Sequence, residues 1–388
     1  MDTNKFDFSK RIPAIDILRA LTVFLMIFVN DLWTVDGVPQ WMLHAETNVD
    51  FLGLADVVFP IFLFVVGMSI PFAIERRISK GYSDIDTIGH ILSRTFALLI
   101  MGTFIVNSET GLSNEIIIKT PYFRAIMVVA FFMIWNQYPK TEKSVRHLYT
   151  ALKITGVLTL IIIAFMYRDA GGGYFRARWW GILGLIGWTY FVSAFIYLFV
   201  RNKIPKIFCI WAVLLVFCML KSSRLFPTEA NFINDLAGLL HIGSGSSLAL
   251  TMGGVLFSLV IVKYSYVEDW KKIVFLISTV FILLIAAKIS NEFWIISKNK
   301  ETPPWVLYST AITIAAYGLL HWAVVKGKAK WFNIIKAGGT ATLSCYVMPY
   351  LLPTIKIGAL GLVKCAIWAL LCILITALLE RFKIKLKI

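Results

Sequence analysis

A chain of 388 residues that is 59% hydrophobic and only 15% charged, with a mean hydropathy of +0.77, is too apolar for a soluble domain. Its net charge of +16 would point to nucleic acid in a soluble protein. Here the lysines and arginines flank apolar runs, which excludes that partner and reads as the cationic inner face of a protein whose surroundings are a lipid bilayer.

A transmembrane helix needs about 20 mostly apolar residues. The sequence predicts twelve, over 15–33, 52–74, 89–107, 122–137, 149–167, 179–200, 205–220, 245–263, 271–290, 305–325, 337–353 and 357–380. Three of them (122–137, 205–220 and 337–353) are short or interrupted. The expected fold is therefore an all-α polytopic membrane protein, with residues 1–388 as one integral-membrane domain. No small-residue cleavage site follows the first apolar run, so it reads as the first helix and not as a signal peptide.

Loop charge sets the orientation. Basic groups gather in alternate loops, at Arg76, Arg77 and Lys80, at Arg201, Lys203 and Lys206, and at Lys326, Lys328, Lys330 and Lys336. The intervening loops carry Asp36, Glu46, Asp50, Glu109 and Glu301. This alternation predicts twelve spans with both termini in the cytoplasm. The loop between the first two helices then faces outward, which in a bacterium is the periplasmic side of the inner membrane.

Polar groups in lipid mark function, because an ionisable side chain inside a span costs a few kcal/mol or more. The first two helices hold an unusual number: Asp16 and Arg19, Asn30 and Asp31, and Asp56. His44 stands in the loop between them. An imidazole beside a carboxylate and an amide donor is the layout of acyl transfer, with His44 as general base or nucleophile. Asp56 or Asp31 would orient the ring, and Asn30 would polarise a carbonyl. An exposed loop histidine is the plain alternative for His44 taken alone.

Arg11, Arg19 and Arg94, near the inner ends of their helices, read either as a site for a phosphate-bearing donor or as positive-inside anchors, and Asp16, one turn from Arg19, as its partner in a simple ion pair. Arg124 starts the fourth helix on the outer side and reads either as reaching the His44 chamber or as a lipid headgroup contact. His90, His147 and His321 fall near inner helix ends, and His241 in an outer loop. The five histidines show no paired-ligand spacing and the five cysteines lie in apolar runs, so no metal site is expected.

These residues resemble a known family. Arg11, the run Asp16-Ile17-Leu18-Arg19-Ala20, Val29-Asn30, His44, and Ala55-Asp56-Val57-Val58-Phe59-Pro60 through Phe64, Gly67 and Ser69 are similar to the heparan-alpha-glucosaminide N-acetyltransferase family and its bacterial relatives. The likeness continues through Arg94-Thr95-Phe96, Asn107 and Arg124, and returns at Asn299-Lys300, Trp305, Gly338-Gly339 and Tyr346. Residues 1–137 carry the motifs and 138–388 diverge; the family's aspartate-proline-glutamate-glycine stretch is not recognisable around Asn234-Asp235-Leu236.

The resemblance implies an enzyme that takes acetyl-CoA from the cytoplasmic face and acetylates an amino sugar, such as a glucosamine, on the other side. It assigns catalysis to His44 with Asn30 and Asp56, and the donor to Arg11, Arg19 and Arg94. Arg124, together with Lys300 in the returning stretch of likeness, is a candidate acceptor-binding residue. Dimers among relatives imply a homodimer. The competing classes are a secondary transporter of sugars or amino sugars and a catalytically inactive membrane paralogue.

Overall fold

The computed structural model describes residues 7–113, 118–139, 143–223, 243–352 and 361–388. His241 and Asn234-Asp235-Leu236 lie outside them. The described residues form helices joined by loops, with isolated bridges such as Asn136 to Leu386. The chain is an all-α polytopic membrane protein: among the described residues, nine helices are long and apolar enough to cross a bilayer.

The helices are α1 (Pro13–Asp31), α2 (Leu54–Ile78), α3 (Asp84–Glu109), α4 (Thr120–Trp135), α5 (Lys143–Met166), α6 (Ile182–Val200) and α7 (Ile204–Ser222). They continue with α8 (Ser246–Lys263), α9 (Asp269–Asn291), α10 (Pro303–Val325), α11 (Lys336–Thr340), α12 (Thr342–Leu351) and α13 (Gly361–Arg381). The run expected as one span over 337–353 is two short helices that break at Ala341, whose backbone (φ −127°, ψ 42°) lies outside helical values.

The chain folds into two compact units, one of Met1–Thr22, Gly37–Thr95 and Leu185–Lys330, the other of Val23–Asp36, Phe96–Gly184 and Trp331–Ile388. In the first, α2 and α8 form the buried centre, with α7 and α10 packed against them. Neither centre helix is amphipathic; both are apolar all round, as suits helices enclosed by others. Small residues bring their backbones together. A Cβ on Gly67 would sit 1.9 Å from the Thr251 carbonyl oxygen, and one on Gly254 would sit 2.0 Å from that of Phe64. Close backbone approach is how helices associate in lipid, where apolar burial alone gives no preference for protein over tails.

Gly67→Ala is therefore expected to force α2 and α8 apart and to destabilise the protein by about 1–3 kcal/mol, the usual cost of overpacking a core. A lower midpoint in detergent thermal melts would show it; an unchanged midpoint would mean the helices can slide.

In the second unit α4 packs on α5 and α12, and α13 on α11 and α12. Asn107, buried in α3, donates to the carbonyls of Thr103 (2.7 Å) and Arg176 (2.8 Å), tying the following loop to that helix.

Candidate functional site

The site grows from the start of α2. Gly53 is its N-cap, and Asp56, three residues on, turns its carboxylate back so that Oδ2 accepts from the Gly53 N–H at 3.3 Å. The same oxygen accepts from the Ala45 N–H at 2.9 Å, and Oδ1 lies 2.7 Å from His44 Nδ1. One buried carboxylate thus caps a helix, holds the loop and grips the imidazole. Gly53 makes this approach feasible, because a Cβ there would stand 1.9 Å from the Leu43 carbonyl oxygen.

Pro60 has a part in the same anchor. A proline inside a helix has no N–H for the carbonyl four residues back, which here belongs to Asp56. A buried carbonyl needs a donor, and the Trp305 indole supplies it: Nε1 donates to the Asp56 carbonyl at 2.9 Å. The sequence pattern Asp56-Val-Val-Phe-Pro60 and the distant Trp305 are two halves of one arrangement.

The hydrogen bond to Asp56 fixes the ring chemistry. A carboxylate only accepts, so the proton of a neutral His44 sits on Nδ1 and the lone pair on Nε2. His44's side chain is 49% exposed, whereas that of Asp56 is 3% exposed. An oriented imidazole at the mouth of a site, backed by a buried carboxylate, can take a proton or an acyl group at Nε2.

A cation completes the surroundings. Lys298, half-buried in the loop between α9 and α10, brings Nζ to 3.4 Å from His44 Nδ1. Burial depresses its ammonium below the usual lysine range, and the Asp56 carboxylate pulls the other way.

Farther along α2 a second feature opens. A cavity of about 890 Å³ is lined by Lys10, Arg11, Asp16, Arg19, Ser69, Arg76 and Lys80, with Phe8 and Phe72 edge to face at 5.3 Å. Asp16 holds both arginines, Arg11 through Nε and Arg19 at 3.0 Å, and Arg19 Nη2 donates to Ser69 Oγ at 2.5 Å. Asp56 and Ser69 are thirteen residues apart on α2, about 20 Å at the helical rise.

A family model described as a domain of unknown function, DUF5009, matches residues 11–230. The chain belongs to that family. The DUF5009 match takes in the His44–Asp56 pair and most of the cationic cavity, starting after its Phe8 and Lys10, and stops short of Lys298 and Trp305. Among curated proteins, the chain is 35% identical over 100 residues to heparan-alpha-glucosaminide N-acetyltransferase of Mus musculus, and 36% identical over 98 residues to that of Homo sapiens. These stretches cover 26% and 25% of this chain and 14% of the length of each relative. The likeness implied by the sequence motifs is thus found over about a quarter of the chain.

Of the residues singled out in this DUF5009 chain, His44 and Asp56 are joined, and Arg11, Asp16 and Arg19 share one cavity. Arg94 instead lies over the Tyr190 ring, 4.6 Å from its centroid. Of the two aspartates expected to orient the imidazole, Asp56 makes the bond; Asp31 is paired at 3.1 Å with Lys364 in the second unit. Asn30 is exposed near the end of α1. Arg124 donates to the Ser108 carbonyl at 3.0 Å, and Lys300 is exposed, its backbone N–H 3.3 Å from Ser297 Oγ. Sequence reasoning missed Lys298 and Lys364. A lone lysine inside the apolar run 357–380 was a signal for the second; among the neighbouring loop lysines, nothing marked the first.

Proposed function

We propose that this chain is a transmembrane acetyltransferase of the bacterial inner membrane, moving an acetyl group from cytoplasmic acetyl-CoA to an amino sugar on the outer side. The carrying observation is the 2.7 Å contact between His44 Nδ1 and Asp56, which presents a free Nε2 at an open loop. In this reading the chain is a single acyltransferase domain with twelve spans and both termini inside, and the His44 loop faces outward. A homodimer is the oligomer taken with this reading.

The donor fits the cationic cavity. A nucleotide with several phosphates needs convergent guanidinium and ammonium groups, which Arg11, Arg19, Arg76 and Lys80 supply, and the Phe8–Phe72 pair offers apolar contact to a base. Arg94 adds positive charge from α3. The acyl-bearing arm would then run along α2 for about 20 Å to His44, a length suited to an extended pantetheine chain.

At the outer end His44 Nε2 takes the proton from the sugar amine as its nitrogen attacks the thioester carbonyl carbon. The carbon–sulfur bond breaks, the proton passes to the departing sulfur, and an amide and a free thiol result. Asp56 holds the ring and balances the imidazolium formed on the way. Asn30 polarises the carbonyl oxygen. Arg124 and Lys300 hold the acceptor.

The test is CoA release by detergent-purified protein given acetyl-CoA and glucosamine, with His44→Ala and Arg19→Gln beside it. Release that requires the amine and falls at least ~10²-fold in His44→Ala is expected, the range for losing a general base. Arg19→Gln should raise the KM for acetyl-CoA with a smaller change in kcat, since it removes ground-state and transition-state binding alike. Sugar flux in proteoliposomes without CoA release would overturn the reading in favour of a transporter.

A further inference from the structure

The DUF5009 match ends before residue 298, yet Lys298, from a loop far along the chain, brings its charge to the His44–Asp56 pair. An imidazole nitrogen has a single in-plane position for a hydrogen or a lone pair. Asp56 Oδ1 occupies that position of Nδ1 at 2.7 Å, so Lys298 Nζ, at 3.4 Å from the same atom, adds charge and not a second bond to the ring.

Its placement is built. The loop that carries it is fastened to the His44 loop on both sides of Lys298. Asp50 accepts from the Ile296 N–H at 2.7 Å and from Asn291 Nδ2 at 3.0 Å. Ser297 Oγ donates to the Thr47 carbonyl at 3.2 Å, and Asn299 Nδ2 to Thr47 Oγ1 at 3.2 Å. Ser297 is itself held by Thr302 Oγ1, 3.0 Å from its N–H. A surface lysine free to swing into water would have no such frame.

A consequence follows from charge. A buried carboxylate alone beside an imidazole favours its protonated form, which has no lone pair on Nε2 and can act neither as base nor as nucleophile. A cation on the same side opposes that protonation. The other charged groups of the two loops are exposed or engaged elsewhere: Asp36, Glu46 and Lys300 are exposed, Asp50 is held by Ile296 and Asn291, Glu292 pairs with Lys288 at 3.2 Å, and Glu301 accepts from Ser244 Oγ at 2.5 Å. Asp56 and Lys298 are thus the charged groups placed against the ring.

We propose that Lys298 is a positioning residue whose ammonium offsets Asp56 and so opposes protonation of the His44 ring while Asp56 keeps it oriented. The kinetic side of this rests on the acetyl-transfer reading; the electrostatic side does not.

The experiment uses diethyl pyrocarbonate, which modifies unprotonated imidazole. Its rate at the His44 peptide is followed by mass spectrometry against pH in the full-length protein. Relative to wild type, Lys298→Met is expected to move the midpoint of that profile up by about one pH unit, the lower end of what a neighbouring charge produces. Lys298→Arg, which keeps the charge, should leave it near the wild-type value. In parallel, the acid limb of kcat/KM for CoA release should move with the modification profile.

A midpoint that stays put in Lys298→Met, or one that moves equally in Lys298→Arg, overturns the proposal. A shifted modification profile in a protein that releases no CoA would overturn the acetyltransferase reading and leave the Lys298 assignment standing.

Discussion

Asp56→Asn is expected to lower kcat/KM for acetyl transfer by about 10³–10⁴-fold, to nearly the level of His44→Ala, without loss of the fold. In wild type, Oδ2 of Asp56 accepts from the Ala45 and Gly53 N–H groups, and Oδ1 faces His44 Nδ1. An asparagine meets the two backbone donors only by turning its oxygen toward them. Its NH₂ then points at His44 Nδ1, which must become an acceptor, and the ring proton moves to Nε2. The residue remains oriented in the wrong tautomer, a fault that costs about 10⁴-fold in catalytic triads.

Asp56→Ala separates the two jobs of this side chain. It also strands the Gly53 and Ala45 donors and should cost about 1 kcal/mol in stability on top of the activity. Thermal melts beside CoA-release kinetics make the comparison. Asp56→Asn within tenfold of wild type would mean that the tautomer of His44 is irrelevant, and the acid–base role would fall.

Why some of this could be read from the sequence and some could not is a matter of distance along the chain and of helical phase. The helices were legible because lipid demands long apolar runs, and α2, α6, α8, α9 and α10 fall where those runs predict. The break at Ala341 was not, since apolarity is continuous across it and only the backbone turns. His44 and Asp56 were legible as a pair because twelve residues separate them and a loop must fold back between.

Asn30 and Asp31 look equivalent as neighbours in sequence, yet one residue on a helix is about 100° of rotation. One is exposed and the other is buried against Lys364. Lys298 and Trp305 act on the site from the far side of α8 and α9, and no periodicity links them to His44. Pro60 was visible as a motif residue, but its reason, the carbonyl it leaves for Trp305, exists only once the chain is folded.

Lys364→Met is expected to destabilise the protein by about 3–5 kcal/mol, and Asp31→Asn in the same chain to restore most of that loss. Asp31 and Lys364 each expose 6% of their side chains and lie 3.1 Å apart, and Lys364 Nζ also donates to Thr34 Oγ1 at 2.7 Å. A buried pair of this kind gains little over two apolar residues, because desolvation consumes most of the attraction. Removal of one partner leaves the other charge without compensation, which is where the large cost arises. The double variant removes both charges and should melt close to wild type, so a double-mutant cycle in detergent reads the coupling directly. Equal melting of Lys364→Met and wild type would show that the pair carries no structural weight. The same double variant decides between the two roles open to Asp31. Acetyl transfer that survives the loss of both charges assigns this aspartate to the fold, whereas transfer that disappears from a stable double variant assigns it to the chemistry alongside Asp56.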